Sequence, residues 1–277
     1  MTSWMKLTRE NPLQLVRIRD DFFGYADMSD GFLRLIVIDG DFESDFFRIA
    51  DSFLATGGVF LDVGANHGLL SCGLAGLYAD TVQFHLFEPN PTLIASIRQS
   101  VALYPSMRHR INAAAVSDRL GTVSFQINEE QTGASHISDN DGTPVPTTML
   151  DHYLDETQIA SVALIKLDIE GYELLALRGA QRSLASRRIQ AIYFEYFEKC
   201  LMRVSPPREL LEFLDMQGYE VCFCREGDIV ARGGASHAVR KVLPGHGIPL
   251  LPVKGHDLPI MTDLMAVPKE NLISIAV

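Results

Sequence analysis

The chain has 277 residues, of which 47% are hydrophobic, and its 24 basic and 35 acidic residues give a net charge of −11. A chain of this length buries a full core as one α/β domain, and the acidic balance disfavours a nucleic acid, whose polyanionic backbone requires a basic face. No apolar stretch has membrane-spanning length, the first residues lack the apolar core of a signal peptide, and the four cysteines suit a reducing compartment, so we expect a cytoplasmic protein.

The first 54 residues are predicted to form a cap segment, followed by a main domain at residues 55–277 that forms one compact unit. Within the cap, residues 32–38 are strand-like, and residues 45–54 repeat apolar side chains at helical spacing. The side chains that share the apolar helical face are Phe46, Ile49, Ala50 and Phe53. We expect this segment to cover a ligand pocket or one edge of the main sheet.

In the main domain, apolar runs alternate with helical patterns. This rhythm predicts a doubly wound, mostly parallel α/β sheet of the Rossmann type with helices on both faces. Helices are clearest after Gly171 and after Pro206, where leucines recur at helical spacing. The predicted strands lie near residues 58–63, 82–88, 110–116, 162–168, 190–196, 219–224 and 261–267.

A loop of small residues, Gly64 to Gly68, follows the first core strand. Glycine lets the backbone turn sharply and lets a ligand lie against it, and the helix that comes next offers free N–H groups. The spacing departs from the GxGxxG pattern of dinucleotide enzymes. Asp62, which comes just before the loop, would repel a pyrophosphate and attract a cationic ligand.

Glu88 ends the second core strand and is suited to bind a ribose, because an ionised carboxylate accepts hydrogen bonds from two hydroxyl donors. Together with the loop after Asp62, it predicts a cationic adenosine derivative as ligand. S-adenosylmethionine, which carries a sulfonium, has these properties.

A polar insert at residues 129–146 interrupts the pattern and contains glycine and proline. It is a candidate lid or substrate loop, and the alternative is a disordered hairpin tip. An imidazole titrates near working pH, so His136 in this insert is a candidate base, or else only a solvated loop residue. In the tail, His237, His246 and His256 are spaced like solvated loop residues.

Five segments resemble, in the same order, those of the FkbM family of S-adenosylmethionine-dependent methyltransferases. They are DVGAN at 62–66, FEP at 87–89, AVSD at 115–118, TMLD at 148–151 and IKLDIEGYE at 165–173, of which the last is the most specific. The resemblance covers about residues 55–200. It implies a class I methyltransferase fold and methylation of a hydroxyl on a sugar, glycolipid or polyketide-type molecule.

Carboxylates at later strand ends are the candidate catalytic groups, since a hydroxyl must lose its proton to attack the methyl group. Asp168 and Glu195 end neighbouring strands, and Glu170 and Glu198 follow closely. They could act as base, as hydroxyl anchors or as Mg²⁺ ligands. His136 stays open as the other candidate base. No ligand set is fixed by spacing, so no metal residue is assigned and Mg²⁺ is not favoured.

The cofactor site is predicted from the loop and the strand ends together. Ser117 and Asp118, after the third core strand, are expected to hold the adenine. The residues assigned to the cofactor are Asp62, Gly64, Ala65, Asn66, Gly68, Glu88, Pro89, Ser117, Asp118 and Asp168.

Two other functions are compatible with a doubly wound sheet. A nicotinamide-dependent oxidoreductase should show GxGxxG and a hydride-transfer pair, and a non-catalytic S-adenosylmethionine-binding module should lack acids at the later strand ends. The favoured function is therefore O-methylation in the biosynthesis of a small molecule or glycoside. The oligomeric state stays open, with a homodimer among the options.

Overall fold

The computed structural model describes residues 13–31, 33–34, 42–138, 142–225, 240–242 and 249–275. The strand predicted at residues 32–38 falls largely outside the described residues, as do His237, His246 and the middle of the polar insert. None of the helices in these ranges combines the length and apolar character needed to cross a membrane.

The helices and strands alternate as the sequence predicts. The described helices are α1 (Ser44–Leu54), α2 (Leu69–Tyr78), α3 (Pro91–Val101), α4 (Leu150–Glu156), α5 (Glu173–Arg178), α6 (Gln181–Ala185), α7 (Glu198–Leu201) and α8 (Arg208–Met216). The described strands are β1 (Leu13–Arg19), β2 (Phe22–Asp27), β3 (Gly58–Val63), β4 (Val82–Phe87), β5 (Arg108–Asn112), β6 (Ala115–Val116), β7 (Gly121–Gln126), β8 (His136–Ile137), β9 (Thr143–Thr148), β10 (Leu164–Leu167), β11 (Ile192–Phe197), β12 (Tyr219–Phe223), β13 (Arg240–Val242), β14 (Pro249–Pro252), β15 (Met261–Pro268) and β16 (Ile273–Ile275).

A ten-stranded sheet with the order β16-β13-β14-β12-β15-β11-β10-β3-β4-β5 forms the centre of the molecule. The strands from β5 to β11 are parallel, whereas the pairs beyond β11 are antiparallel. The predicted α/β fold class is confirmed. The chain moves outward from β3 to β5 and later returns to β10 on the other side of β3, so a ligand crevice is expected between the ends of β3 and β10.

The parallel strands are buried on both faces, which explains why they are almost continuously apolar. Side chains alternate between the faces. Phe60 and Tyr193 belong to the buried cluster on one face, and Leu61, Ile165 and Phe194 belong to the cluster on the other.

The strand predicted at residues 110–116 is divided between two sheets, and that part of the prediction is wrong. β5 stays in the central sheet, whereas β6 joins a four-stranded sheet with the order β6-β9-β7-β8. This second sheet takes up part of the polar insert. Pro144 and Pro146 fit in β9 because β6 pairs only with Thr147 and Thr148, which leaves the prolines on an open edge of the strand.

The segment before residue 54 packs on α2 and α3. The hairpin β1–β2 was not predicted, and its residue Tyr25 makes hydrogen bonds with Ser96 and Ser100 of α3 at 2.8 Å each. Phe46 and Ile49 of α1 are buried in the same cluster as residues of α2 and α3. The cap segment therefore shares a core with the main domain, and the boundary at residue 54 stays a prediction.

Candidate functional site

The loop after β3 lies directly beneath the crevice. Gly64 has φ 85°, and a Cβ there would lie 1.8 Å from the carbonyl oxygen of Asp168. A side chain at this position would therefore require the loop to move away from β10. The N–H groups of Gly64 and Ala65 both donate to the carbonyl of Phe87 at 3.0 Å, which ties the loop to the end of β4 as well.

Glu88 is buried beside this loop, with both carboxylate oxygens in use. Oε2 accepts from the N–H of Asn66 at 2.9 Å, and Oε1 accepts from the N–H of Asn90 at 2.8 Å. Burial raises the pKa of Glu88 to about 7, although the two amide hydrogen bonds oppose this shift. Each oxygen keeps a further lone pair, so the carboxylate can also accept from two ligand hydroxyls.

A cavity of about 530 Å³ opens at the crevice between β3 and β10. Its wall contains seven of the predicted site residues, which are Gly64, Ala65, Asn66, Glu88, Pro89, Asp168 and Glu195. Five others do not line it, namely Asp62, Gly68, Ser117, Asp118 and His136. Ala114, Ala115 and Val116 provide the wall on the side where Ser117 and Asp118 were expected.

Asp62 lies behind the cavity and is fully buried. Its Oδ2 accepts from the Ser71 hydroxyl at 2.6 Å, and it stands in register with Lys166 of β10. Burial raises the pKa of Asp62, whereas the charge of Lys166 lowers it. In this position Asp62 belongs to a buried network behind the cavity and not to the cavity wall.

Three carboxylates come together at the cavity on the side of β10 and β11. One oxygen from each of Asp168, Glu170 and Glu195 lies within 4.8 Å of the other two. Asp168 Oδ2 also lies 2.6 Å from the Nζ of Lys166, a residue with only 6% of its surface exposed. The convergence of Asp168 and Glu195 was predicted, whereas the ion pair with Lys166 was missed, although Lys166 is part of the IKLDIEGYE segment.

Glu195 and Asp168 have different surroundings. Burial and the nearby carboxylates of Asp168 and Glu170 raise the pKa of Glu195 to about 9. Glu195 therefore carries a proton at neutral pH, while Asp168 has a cation as its neighbour. Glu195 can therefore donate a hydrogen bond, beside an Asp168 carboxylate that is paired with Lys166.

The turn from β10 to α5 is held by backbone geometry. Gly171 has φ 101°, and a Cβ there would lie 2.0 Å from the carbonyl oxygen of Cys200. Buried Glu173 accepts from the N–H groups of Ile169 and Gly171 at 3.0 and 3.3 Å. Glu173, which the sequence analysis did not assign, thereby fixes the turn that presents Glu170.

Part of the polar insert, residues 131–135 and Ile137, lines the cavity. The hydroxyl of Thr132 reaches Asp30 Oδ2 at 2.8 Å and Asn66 Oδ1 at 3.2 Å, and the hydroxyl of Tyr172 donates to the carbonyl of Ile137 at 2.7 Å. These contacts connect the insert to the cap, the cofactor loop and the turn after β10. His136 sits in this insert with its Nδ1 3.0 Å from the carbonyl of Ala134, outside the cavity wall.

The sequence matches the family described as Methyltransferase FkbM domain over residues 62–221. The 2-O-methyltransferase NoeI of Sinorhizobium fredii is 29% identical over 196 residues, which are 63% of this chain and 79% of NoeI. The hexuronic acid methyltransferase AglP of Haloferax volcanii is 23% identical over 149 residues, which are 52% of this chain and 59% of AglP. The crystal structure of methyltransferase FkbM from Methylobacillus flagellatus KT shares 16% identity over 60% of this chain and 39% of that chain, with a TM-score of 0.43.

Proposed function

We propose, from the premise that this chain belongs to the methyltransferase FkbM domain family, that it transfers a methyl group from S-adenosylmethionine to a hydroxyl of a sugar, glycolipid or related small molecule. One observation carries the proposal: three acidic residues line the same cavity. Glu88 is placed to bind a ribose, and Asp168 and Glu195 are placed to bind a hydroxyl. The names of two relatives support an oxygen acceptor and a sugar, since NoeI is a 2-O-methyltransferase and AglP acts on a hexuronic acid.

The cofactor is proposed to lie along the loop after β3. Glu88 would accept from the ribose hydroxyls, and the sulfonium would face the negative potential of Asp168 and Glu170. When bound, the cofactor supplies an electrophilic methyl group on a sulfur that leaves as a neutral thioether. The assignment of the adenine to Ser117 and Asp118 stays a prediction, because neither residue lines the cavity.

Asp168 is proposed as the base that accepts the hydroxyl proton. Lys166 holds Asp168 Oδ2 and fixes the orientation of the carboxylate, so Oδ1 is the oxygen that would take the proton. Glu195 would use its own proton to donate a hydrogen bond to another acceptor oxygen. A hydroxyl held between these two groups would be aligned with the methyl carbon. His136 is the second candidate for the base.

We also propose that the protein is cytoplasmic and that nucleic acids are not its acceptors. The net charge of −11 supports the exclusion.

Calorimetry with S-adenosylmethionine tests the cofactor half of the proposal. Glu88→Gln keeps the shape of the side chain but removes its charge, so binding should weaken by about 1.5–3 kcal/mol through the loss of charge-assisted hydrogen bonds. The unfolding midpoint of the unliganded variant provides the control for folding. Binding of NADH in place of S-adenosylmethionine would instead support an oxidoreductase and would sink the proposal.

Chelation tests the dependence on a metal. Asp168, Glu170 and Glu195 could together supply three oxygen ligands, and waters could complete the shell of Mg²⁺. However, Lys166 already occupies one oxygen of Asp168, and Glu195 carries a proton. We therefore expect methyl transfer to continue at an unchanged rate in EDTA. Loss of activity in EDTA that returns with Mg²⁺ would show that these acids bind a metal.

A further inference from the structure

One part of the cavity wall is a cluster of charged side chains from the start of α1, from β10, β11 and β15, and from the segment after β12. We call it the acceptor chamber and define it by Glu43, Asp45, Lys166, Glu195, Arg225 and Asp263, all of which line the cavity.

Both cations of the acceptor chamber already have acidic partners. Lys166 Nζ lies 2.6 Å from Asp168. Arg225 lies 3.3 Å from Asp45 through Nε and 3.4 Å from Asp263 through Nη1. Within the described part of the cavity wall, acidic side chains therefore outnumber Lys and Arg, and each of these two cations is engaged. A ligand carboxylate that entered the chamber would have to compete with these acids for a cation.

Glu43 stands out among these acids because of its backbone. It precedes α1 with φ 52° and ψ 37°, a left-handed conformation that glycine adopts readily and glutamate rarely does. Its side chain makes no capping hydrogen bond to the helix. The backbone at the helix start would thus be easier to form with glycine here, and no capping hydrogen bond accounts for the carboxyl group.

The carboxyl group of Glu43 also lacks a hydrogen bond or ion pair to any residue that the structure describes. The charges of Lys166, Asp168, Arg225 and Asp263 act on it across the cavity, and burial, the largest cause, raises the pKa of Glu43 to about 7. A mostly buried carboxyl group in a cavity wall is costly unless it gains a partner. A donor group of the acceptor would provide that partner.

We propose that Glu43 binds the acceptor and that the acceptor chamber takes a sugar unit without an anionic group. The proposal rests on the proposed function and specifies its substrate class. Sugar hydroxyls and sugar ammonium groups donate to carboxylates, whereas a uronate would be repelled by Glu43, Asp263 and Asp168 and would lose its hydration without gaining a free cation. On this point the chain would differ from AglP, whose name specifies a hexuronic acid.

The test compares three acceptors that share one aglycone: octyl glucoside, octyl 2-amino-2-deoxyglucoside and octyl glucuronide. Initial rates with radiolabelled S-adenosylmethionine are measured at pH 8. The first two should be methylated, and kcat/KM for the glucuronide should be lower by about fiftyfold or more, as expected when like charges face each other in a binding site. A glucuronide methylated as efficiently as the glucoside would overturn the inference and leave the proposed function intact.

Two variants test Glu43 itself. Glu43→Gly removes the carboxyl group and relieves the left-handed backbone, so the unfolding midpoint should hold or rise while KM for the glucoside increases by about tenfold or more. Glu43→Gln should increase the rate on the glucuronide relative to the glucoside, since one repelling charge is gone. Glu212→Gln, on the exposed face of α8, is the matched control and should change neither value.

The outcomes separate the two proposals. If Glu43→Gly keeps the wild-type KM and has a higher unfolding midpoint, Glu43 is only a strained residue of the cap segment and does not bind the acceptor. The inference then fails, while the proposed methyl transfer is unaffected. Affinity for S-adenosylmethionine should stay unchanged in both variants, because Glu43 is not among the residues proposed to bind the cofactor. If the wild type neither binds S-adenosylmethionine nor methylates any of the three glycosides, the proposed function fails and takes the inference with it.

Discussion

Asp168→Ala is expected to lower the rate of methyl transfer by about a hundredfold or more, because removal of a positioned base typically costs two to four orders of magnitude. Asp168 lies at the switch point of the sheet, lines the cavity and has its orientation fixed by Lys166 at 2.6 Å. Affinity for S-adenosylmethionine should fall only slightly, since Glu88 and the loop after β3 remain. Single-turnover rates and calorimetry on the same preparation measure the two quantities separately.

Asp168→Asn is the matched control for this experiment. It keeps the size of the side chain and can accept a hydrogen bond from Lys166, but it cannot take a proton from the acceptor. We expect it to be as slow as the alanine variant and better folded. If either variant transfers methyl groups at the wild-type rate, Asp168 is not the base, and His136 becomes the residue to test.

The cofactor half of the site could be predicted from local sequence. Gly64 and Glu88 occupy positions where a parallel strand ends and a turn follows. Such positions require particular residue types, and short sequence motifs therefore identify them. The same logic placed Asp168 and Glu195 at the edge of the sheet where both now line the cavity. Strand ends are local features, so one sequence is enough to find them.

Asp62 does not line the cavity, because a strand-end residue still points to one face of the sheet, and its role in cofactor binding stays a prediction. Asp62 precedes the last residue of β3, and its side chain faces Ser71 in a buried layer. Ser117 and Asp118 lie beyond the cavity because β6 leaves the central sheet, which depends on its pairing with β9. Such long-range pairing leaves no local pattern.

The acceptor chamber could not be predicted from the sequence, for a related reason. Glu43 and Asp263 lie more than two hundred residues apart and meet only because β15 enters the sheet beside β11 and α1 packs over it. Glu43 has no motif, and its left-handed backbone is not visible in the sequence. Asp263 gave a weak signal as a charge within an apolar strand run, which was interpreted only as a strand.

Lys166→Met should give the largest loss of stability among the variants considered. Methionine has a similar length but no charge, so it leaves fully buried Asp62 and partly buried Asp168 without their cation. Breaking a buried pair by removing one partner costs about 3–5 kcal/mol. Urea unfolding of the unliganded protein should show this loss as a lower midpoint with an unchanged slope.

The loss should also depend on pH, with a sign that follows from the buried acids. Burial already raises the pKa of Asp62. Without Lys166, the pKa values of Asp62 and Glu43 should both rise further, since the charge of Lys166 lowers both pKa values. The folded variant would then hold protons that the unfolded chain releases, so its free energy of unfolding should fall as pH rises. The difference in unfolding free energy from the wild type should be wider at pH 8 than at pH 5.

Adding Asp62→Asn should recover part of the stability at pH 8, because it removes one of the uncompensated charges. A variant as stable as the wild type at pH 8, or a gap that narrows with rising pH, would show that Lys166 does not neutralise this cluster.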